Sequence, residues 1–442
     1  MSFTSPVFLF AFLPLTVIVY QLARSTKLKN AVWIAAGLLF YAFGDVRHLP
    51  LLLGSCLLHY GAGRYLMART KARRAALGLV VALDLAVLAF YKVRGALPLG
   101  ISFYTFQAIS YVADTYKNPA DGTKNLRETL QYLTFFPQLT AGPFLKFSAL
   151  RPYLDRRETT WEKNAQGVRR FVCGLCKKVL LSTAAAKLAD AMFSLASIDA
   201  LGAWTGALGY CLQLYFDFSG YTDMALGLSL CFGIRLPENF NSPYLAVSVT
   251  DFWRRWHISL SGWFRDYVYI PLGGSRVAAK RRLYFNIFMV WLLTGIWHGA
   301  KWTYIVWGMM YFVLLCVERI LNLSGQKSWL GWIYTVFFFI AGNVVFRSEN
   351  VTGALKYLLA MFNIHTTGLL DEKAVYYFAE YKMFLLIGMA AALPIAVWLR
   401  AQAGRCGAWI ERLRPVWCAA VFLVALSFIV KGGYNPFIYF DF

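Results

Sequence analysis

Two of the five histidines in this chain of 442 residues lie where an imidazole could do acid–base chemistry. His298 ends one hydrophobic stretch of sequence and precedes another that starts near Trp302. An ionisable side chain there is costly in lipid, so we expect it to face a cavity or a partner group. Imidazole is also well matched to general base catalysis near neutral pH. The local pattern fits a catalytic base and, equally, a histidine that bridges two helices at a bend.

His257 lies in a segment rich in tryptophan and arginine. At helical spacing, four apolar residues share one face: Trp253, Trp256, Leu260 and Phe264. Arg254 and Arg255 lie off that face. The pattern by itself favours an interfacial helix that anchors the chain, with tryptophans at the lipid headgroups. The alternative is a helix whose arginines bind an anionic donor, such as the phosphates of a coenzyme.

Motifs of several common enzyme classes do not occur in the sequence. It has no P-loop, no HExxH, no GxSxG and no dinucleotide fingerprint. The eight cysteines are scattered and predict no disulfide framework. Cys173 and Cys176 form a single CxxC pair without a second pair or a nearby histidine, so we expect no metal site. The sequence therefore lacks the motifs that phosphotransfer, metalloprotease and serine hydrolase chemistry require.

The composition indicates that these residues are positioned by membrane helices. The chain is 59% hydrophobic and 15% charged, against roughly 45–50% and about 25% in soluble domains. Its formal net charge of +22 would suggest nucleic acid on a soluble protein. In so apolar a chain, basic residues instead orient helices and lie near anionic headgroups. We therefore expect the apolar and basic residues of the chain to contact a lipid bilayer, and we expect no nucleic acid as a partner.

Apolar stretches of nearly membrane-spanning length recur along the chain. They cover residues 6–23, 31–44, 49–63, 75–91, 283–297, 302–317, 328–346, 383–399 and 415–430. Lys and Arg gather after the first and third stretches and before the last one. Because such loops face the cytoplasm, both termini are predicted to be extracytoplasmic.

The middle of the chain, from residue 95 to 271, interrupts its apolar stretches with Pro, Gly and ionisable residues. Examples are Asp217 in an aromatic run and Asn239 after Pro237 and Glu238. Irregular backbone at membrane depth needs protein or a water-filled cavity around it. We expect re-entrant or tilted helices around a polar hollow, within a single integral membrane domain spanning residues 1–442. A transporter would also have broken helices, but its inverted repeats are not found; a scaffold would need no catalytic base.

Eight motifs in order make the sequence recognisable. They lie at residues 100–107, 135–143, 215–225, 237–241, 253–260, 264–267, 270–274 and 297–299. Together they resemble the membrane-bound O-acyltransferase (MBOAT) family, and in particular its bacterial branch of alginate O-acetylation and D-alanyl transfer proteins. The resemblance implies an all-α polytopic protein of the bacterial cytoplasmic (inner) membrane, with core motifs at about 100–320 and a central funnel or tunnel.

The resemblance also assigns roles to residues of this chain. His298 matches the family's signature histidine, and His257 matches a second polar position of this branch. Other residues are expected to line the tunnel or contact substrate: Asp217, Asn239, Trp297, Arg254 and Arg255. No bound cofactor is implied. The acyl donor is expected to be acetyl-CoA or another acyl thioester.

The tail, residues 431–442, looks like the aromatic Phe-x-Tyr-Phe-x-Phe motif of this branch. The resemblance implies that Tyr439 accepts the acyl group and passes it to an extracytoplasmic transferase or esterase of SGNH type, for O-acylation of a polysaccharide. Without this resemblance, the aromatic residues of the tail would be interpreted as an interfacial anchor. The alternative acyl group is D-alanine, delivered by a carrier protein to teichoic-acid-type polymers.

Overall fold

The computed structural model describes residues 1–68, 71–195, 197–323, 328–364, 371–395, 398, 404–432 and 437, with only the backbone given for 404–411. These ranges are largely helical and contain no β-strand. Tyr439, named from the sequence, lies outside them, as do residues 433–436 and the rest of 438–442 in the tail.

The helices of the first half are α1 (Leu13–Leu22), α2 (Thr26–Asp45), α3 (Leu49–Met67), α4 (Arg73–Arg94), α5 (Ile101–Lys117), α6 (Leu126–Leu133), α7 (Phe136–Leu139), α8 (Phe147–Asp155), α9 (Trp161–Cys176), α10 (Thr183–Phe193) and α11 (Ala200–Cys231). A π-helical turn, Phe8–Phe12, precedes α1, and another, Lys177–Ser182, joins α9 to α10. Short 3-10 turns lie at Val46–His48 and Pro119–Asp121.

The second half contains α12 (Val249–Arg255), α13 (Ile258–Phe264), α14 (Lys280–His298), α15 (Trp302–Ile320), α16 (Trp329–Arg347), α17 (Val351–Ala360), α18 (Glu372–Ala392) and α19 (Gly404–Val430). A 3-10 turn, Pro243–Leu245, precedes α12, and a π-helical turn, Arg265–Tyr269, follows α13.

Four helices within the described residues are long and apolar enough to cross a membrane: α4, α15, α16 and the part of α19 from Arg412 to Val430. They match the apolar stretches 75–91, 302–317, 328–346 and 415–430 predicted from the sequence. Large apolar side chains point outward on them, among them Leu79, Val93 and Val430. Apolar surface of this kind is suited to lipid.

The described residues form two compact units. The first comprises those of Met1–Leu175, Tyr221–Glu238 and Pro436–Phe442, and the second those of Cys176–Gly220 and Asn239–Asn435. In the first unit, Gly100 starts α5 with φ of +68°, and a Cβ there would lie 2.3 Å from the backbone oxygen of Leu139. Only glycine allows this contact, which fixes the motif at 100–107 against α7.

Buried polar groups of the first unit are tied to each other. His59 Nε2 lies 2.9 Å from Asp84 Oδ2, joining α3 to α4. Such pairing is required there because an unpaired charge away from water is costly. Nearer the surface, Arg170 on α9 binds Asp223 on α11 at 3.0 Å and the exposed Glu238 at 2.5 Å.

In the second unit, α14 and α15 form a tightly packed hairpin. A Cβ on Gly308 would lie 2.5 Å from the backbone oxygen of Trp291, and one on Gly295 would lie 2.7 Å from that of Tyr304. Both positions therefore require a residue without a side chain. The close approach sets the distance between α15 and the end of α14, where His298 lies.

Candidate active site

His298 is the last residue of α14 and is 5% exposed. The helix ends at Gly299, whose φ of +152° suits glycine, and a Cβ there would lie 2.9 Å from the Tyr304 ring. The carbonyl end of a helix carries partial negative charge, which stabilises a cation formed nearby. The fold thus places the imidazole beside the partial negative charge of the helix end.

Aromatic rings surround His298. The ring centroids of Trp297, Trp307 and Phe346 lie 4.8, 5.1 and 5.0 Å from that of the imidazole, and that of Tyr304 lies at 6.2 Å. Trp307 and Phe346 meet it edge to face, at 85° and 86°. Apolar walls exclude water and strengthen electrostatic interactions inside them. Trp297 therefore packs directly against the imidazole of His298.

His257 interrupts the helix predicted across residues 253–260. α12 ends at Arg255, His257 adopts φ of 45° and ψ of 52°, and α13 begins at Ile258. The prediction of one continuous helix was wrong, because a left-handed residue cannot continue a right-handed helix. Such a backbone conformation is uncommon for a residue other than glycine and concentrates at functional sites.

Asn239 holds this bend. Its side-chain oxygen accepts hydrogen bonds from the backbone N–H of Ser259 at 3.0 Å and the Ser259 hydroxyl at 2.9 Å, and it lies 3.3 Å from His257 Nδ1. Its backbone oxygen accepts from the N–H of Ile258 at 3.0 Å. Asn239 is therefore a positioning residue for His257.

These contacts define the protonation of His257. The Ser259 N–H can only donate, so it identifies the Asn239 atom as the oxygen, and His257 Nδ1 must then carry the hydrogen. Burial lowers the pKa of His257 to about 3, so the ring is neutral near pH 7. A neutral ring with hydrogen on Nδ1 offers a lone pair at Nε2 and can accept a hydrogen bond there.

The tryptophans and arginines beside His257 have different surroundings. Trp256 is 4% exposed and stacks on Phe252, so it packs within the protein instead of at the headgroups. Arg255 donates from Nε to Asp251 at 2.9 Å. Arg254 is exposed. Of the two arginines predicted to bind an anionic donor, Arg254 is the one whose side chain faces outward.

A chain of aromatic contacts runs from one histidine to the other within the second unit. It passes through Phe218, Phe240, Trp256, Phe252, Trp253 and Trp307, with successive ring centroids 4.5 to 5.7 Å apart and Trp307 reaching His298 at 5.1 Å. Packed interiors transmit displacement because they contain few voids. The two histidines therefore lie on one continuous aromatic framework.

Two charged residues at the site were not identified from the sequence as partners. Lys178, 4% exposed, pairs with Asp217, which is 1% exposed. Glu318 is fully buried on α15, where it accepts hydrogen bonds from the N–H of Val249 and from Thr250 at 2.9 Å and 2.7 Å. The available signal was an ionisable residue next to an apolar stretch, since a charge that becomes buried there must find a partner.

No group of three or more metal-binding side chains occurs in the part of the chain that the structure describes. The arrangement offers a base at a helix end, a second imidazole held neutral, and apolar walls, which suits proton transfer to and from a hydroxyl nucleophile.

The chain belongs to the membrane-bound O-acyltransferase (MBOAT) family, whose model matches residues 108–354 and so includes both histidines, Asp217 and Asn239. It is an O-acyltransferase, as the resemblance predicted.

Similar proteins include enzymes named for three kinds of polymer. The probable alginate O-acetylase AlgI of Pseudomonas aeruginosa is 41% identical over 83% of this chain and 76% of its own length. The peptidoglycan O-acetyltransferase of Helicobacter pylori is 36% identical, covering 83% and 81%. The teichoic acid D-alanyltransferase of Bacillus subtilis is more distant, 31% identical over 52% of this chain and 62% of that protein.

The buried pair of Lys178 and Asp217 gives a test of whether Asp217 positions the site or contacts substrate. Asp217→Leu alone, or Lys178→Met alone, leaves a buried charge and should cost about 3–5 kcal/mol of folding free energy. The double variant removes both charges and should recover most of the stability and activity. Thermal unfolding and acyl transfer of the purified protein measure these outcomes. A double variant that is stable yet inactive would show that Asp217 contacts substrate.

The neutral state of His257 predicts a pH dependence of stability. Its pKa is about 3 in the folded protein and 6.5 ordinarily, so below pH 6.5 the unfolded chain binds a proton that the folded one does not. The contribution of this group to the free energy of unfolding should therefore fall by about 2 kcal/mol as the pH is lowered from 7.5 to 5. As the pH is lowered, the apparent melting temperature should therefore decline more steeply for the wild type than for His257→Gln. Parallel declines in the two proteins would contradict a neutral, buried His257.

Proposed function

We propose that this enzyme transfers an acyl group, most simply acetyl, from a cytoplasmic thioester across the membrane for O-acylation of an extracytoplasmic polysaccharide. The support is the His298 site together with relatives named for acting on alginate and peptidoglycan. Those relatives cover 83% of this chain, whereas the D-alanyltransferase covers 52%. This difference favours acetyl transfer over D-alanyl transfer from a carrier protein. Family membership favours an enzyme over a transporter or scaffold.

His298 acts as the general base in this proposal. It takes the proton of an attacking hydroxyl, because an alcohol or a phenol with a pKa near 10 is a weak nucleophile until a base assists it. The hydroxyl oxygen bonds to the thioester carbonyl carbon, the carbon–sulfur bond breaks, and the proton passes from His298 to the departing sulfur. The helix end stabilises the transient imidazolium. The aromatic wall keeps water from competing as the nucleophile.

His257 assists as a hydrogen-bond acceptor. Its neutral ring, held by Asn239, has its lone pair on Nε2. Such an acceptor orients a hydroxyl, whereas polarising a carbonyl would need a donor. We therefore assign His257 to positioning the nucleophile. Arg254 faces outward and offers a countercharge for the phosphates of a coenzyme donor.

The tail supplies the nucleophile in this proposal. Tyr439 attacks the thioester, carries the acyl group as a phenyl ester, and yields it to an extracytoplasmic transferase or esterase of SGNH type. The direction of transport follows from the basic loops, which orient both termini away from the cytoplasm. The enzyme then lies in the bacterial cytoplasmic membrane with the tail on the outer side.

His298→Ala should abolish acyl transfer while leaving the protein inserted, because the nucleophile then has no base. The expected loss is about 10²–10⁴-fold, typical of general base catalysis. Release of free thiol from acetyl-CoA measures the reaction in purified protein. His48→Gln is the matched control, since His48 contacts Asp45 at the end of α2. Normal thiol release by His298→Ala would contradict the proposal.

Tyr439→Phe should remove the acyl carrier without removing the base. Intact-mass measurement of the wild-type tail peptide after reaction with acetyl-CoA should show one labile acetyl adduct, which the variant lacks. Polysaccharide O-acetylation should fall with it. Full polysaccharide acetylation by Tyr439→Phe would exclude the relay.

A further inference from the structure

A cavity of about 680 Å³ lies within the first unit, beside the end of α3. It is lined by residues 60, 67, 119–120, 122–126, 128 and 151, and we call it the loop cavity. Lys124, Asn125 and Arg151 are exposed, so the cavity opens to the surface. The proposed acyl transfer makes no use of it.

Three cations are held at this cavity. Arg151 donates a hydrogen bond from Nη1 to the backbone oxygen of Ala120. Arg64 donates from Nη1 to the hydroxyl of Tyr60 at 3.3 Å and to the backbone oxygen of Lys124 at 3.5 Å. Among the residues that the structure describes, no carboxylate forms an ion pair with Arg64, Lys124 or Arg151, which we call the rim cations.

The carboxylates of this loop already have partners. Glu128 accepts a hydrogen bond from the hydroxyl of Thr123 at 2.7 Å and lies 3.9 Å from the guanidinium of Arg127. Asp121 accepts from the side chain of Asn118 at 3.3 Å. The charge of the rim cations therefore remains available to an anion. Guanidinium groups match phosphate oxygens particularly well, because they present paired N–H donors.

The loop cavity lies at the level where α4 enters the membrane. Met67, the last residue of α3, lines the cavity, and α4 begins six residues later at Arg73. Arg73 donates from Nη2 to the backbone oxygen of Tyr116 at 2.7 Å, which ties the start of α4 to the end of α5. α4 is long and apolar enough to cross a membrane. The basic residues after the third apolar stretch predict that this end of the helix faces the cytoplasm.

An open face of α3 leads away from the cavity. Gly54, Leu57, Gly61 and Arg64 follow one another at steps of three, four and three residues, so they share one side of the helix. Leu57 is 57% exposed, and a Cβ on Gly54 or Gly61 would meet no atom within 4 Å. This side of α3 extends for about 15 Å, and it offers an apolar, unobstructed surface to a lipid acyl chain.

We infer that the loop cavity binds the phosphate of an anionic phospholipid, with one acyl chain along the open face of α3. Basic pockets beside membrane helices on the cytoplasmic side suit such headgroups. A soluble phosphate ester would also meet the rim cations, but it would leave the face of Gly54, Leu57 and Gly61 uncovered. The combination of cavity, cations and apolar face therefore favours the lipid.

Native mass spectrometry of the full chain, released from micelles with equal amounts of phosphatidylglycerol and phosphatidylcholine, tests the charge requirement. The wild type should retain phosphatidylglycerol in preference to phosphatidylcholine by about tenfold or more, since basic residues attract the anionic headgroup. The variant Lys124→Gln/Arg151→Gln should retain one phosphatidylglycerol molecule fewer. The control Arg235→Gln/Lys356→Gln removes the same charge at exposed positions elsewhere and should match the wild type. No preference in the wild type, or unchanged retention in the cavity variant, would overturn the inference.

A variant of the apolar face distinguishes a lipid from a soluble phosphate. Gly61→Trp covers the face and leaves the rim cations in place, and the space around Gly61 allows the fold to accept it. Helix content and melting temperature should therefore match the wild type, whereas phosphatidylglycerol retention should fall about tenfold. Excess glycerol 3-phosphate should not displace the lipid from the wild type. Displacement by glycerol 3-phosphate together with normal retention in Gly61→Trp would show a site for soluble phosphate esters and contradict the lipid assignment.

Discussion

The carboxylate of Glu318 is the contact on which the arrangement of the site depends. It is fully buried on α15, and it accepts the hydrogen bonds of Val249 and Thr250 at the beginning of α12. α12 leads directly into the bend at His257, and α15 carries Trp307, which contacts His298. One charge therefore ties the segment of one histidine to the hairpin of the other. In an apolar interior such a carboxylate is stable only while those donors remain, so the contact also resists separation of the two elements.

Ion pairs and hydrogen bonds between polar groups inside the protein explain much of the remaining architecture. Lys178 pairs with Asp217, Asn239 binds the backbone and side chain of Ser259, and His59 binds Asp84. Each removes an ionisable or polar group from contact with lipid, as a membrane protein requires. His298, the proposed base, is packed among rings of tryptophan, tyrosine and phenylalanine. Those rings help to fix its position.

The sequence predicted the elements that hydropathy alone can specify. The position of His298 between two apolar segments predicted its place at the end of α14, and the long apolar stretches predicted four helices suited to a membrane. It failed at His257, because tryptophans at helical spacing also fit two short helices separated by a left-handed residue. The partners of Asp217 and Asn239 could not be predicted, since both depend on contacts between segments distant in the chain. Motif resemblance identified these residues, and the three-dimensional contacts show how each is held.

A structure of the enzyme with a non-hydrolysable analogue of acetyl-CoA tests most directly whether His298 is the base at the reacting carbon. The acyl group should lie against Trp307 and Phe346, with room for a hydroxyl oxygen within about 3 Å of the His298 ring. An analogue bound with its acyl group away from His298, in a protein that still acylates Tyr439, would contradict it.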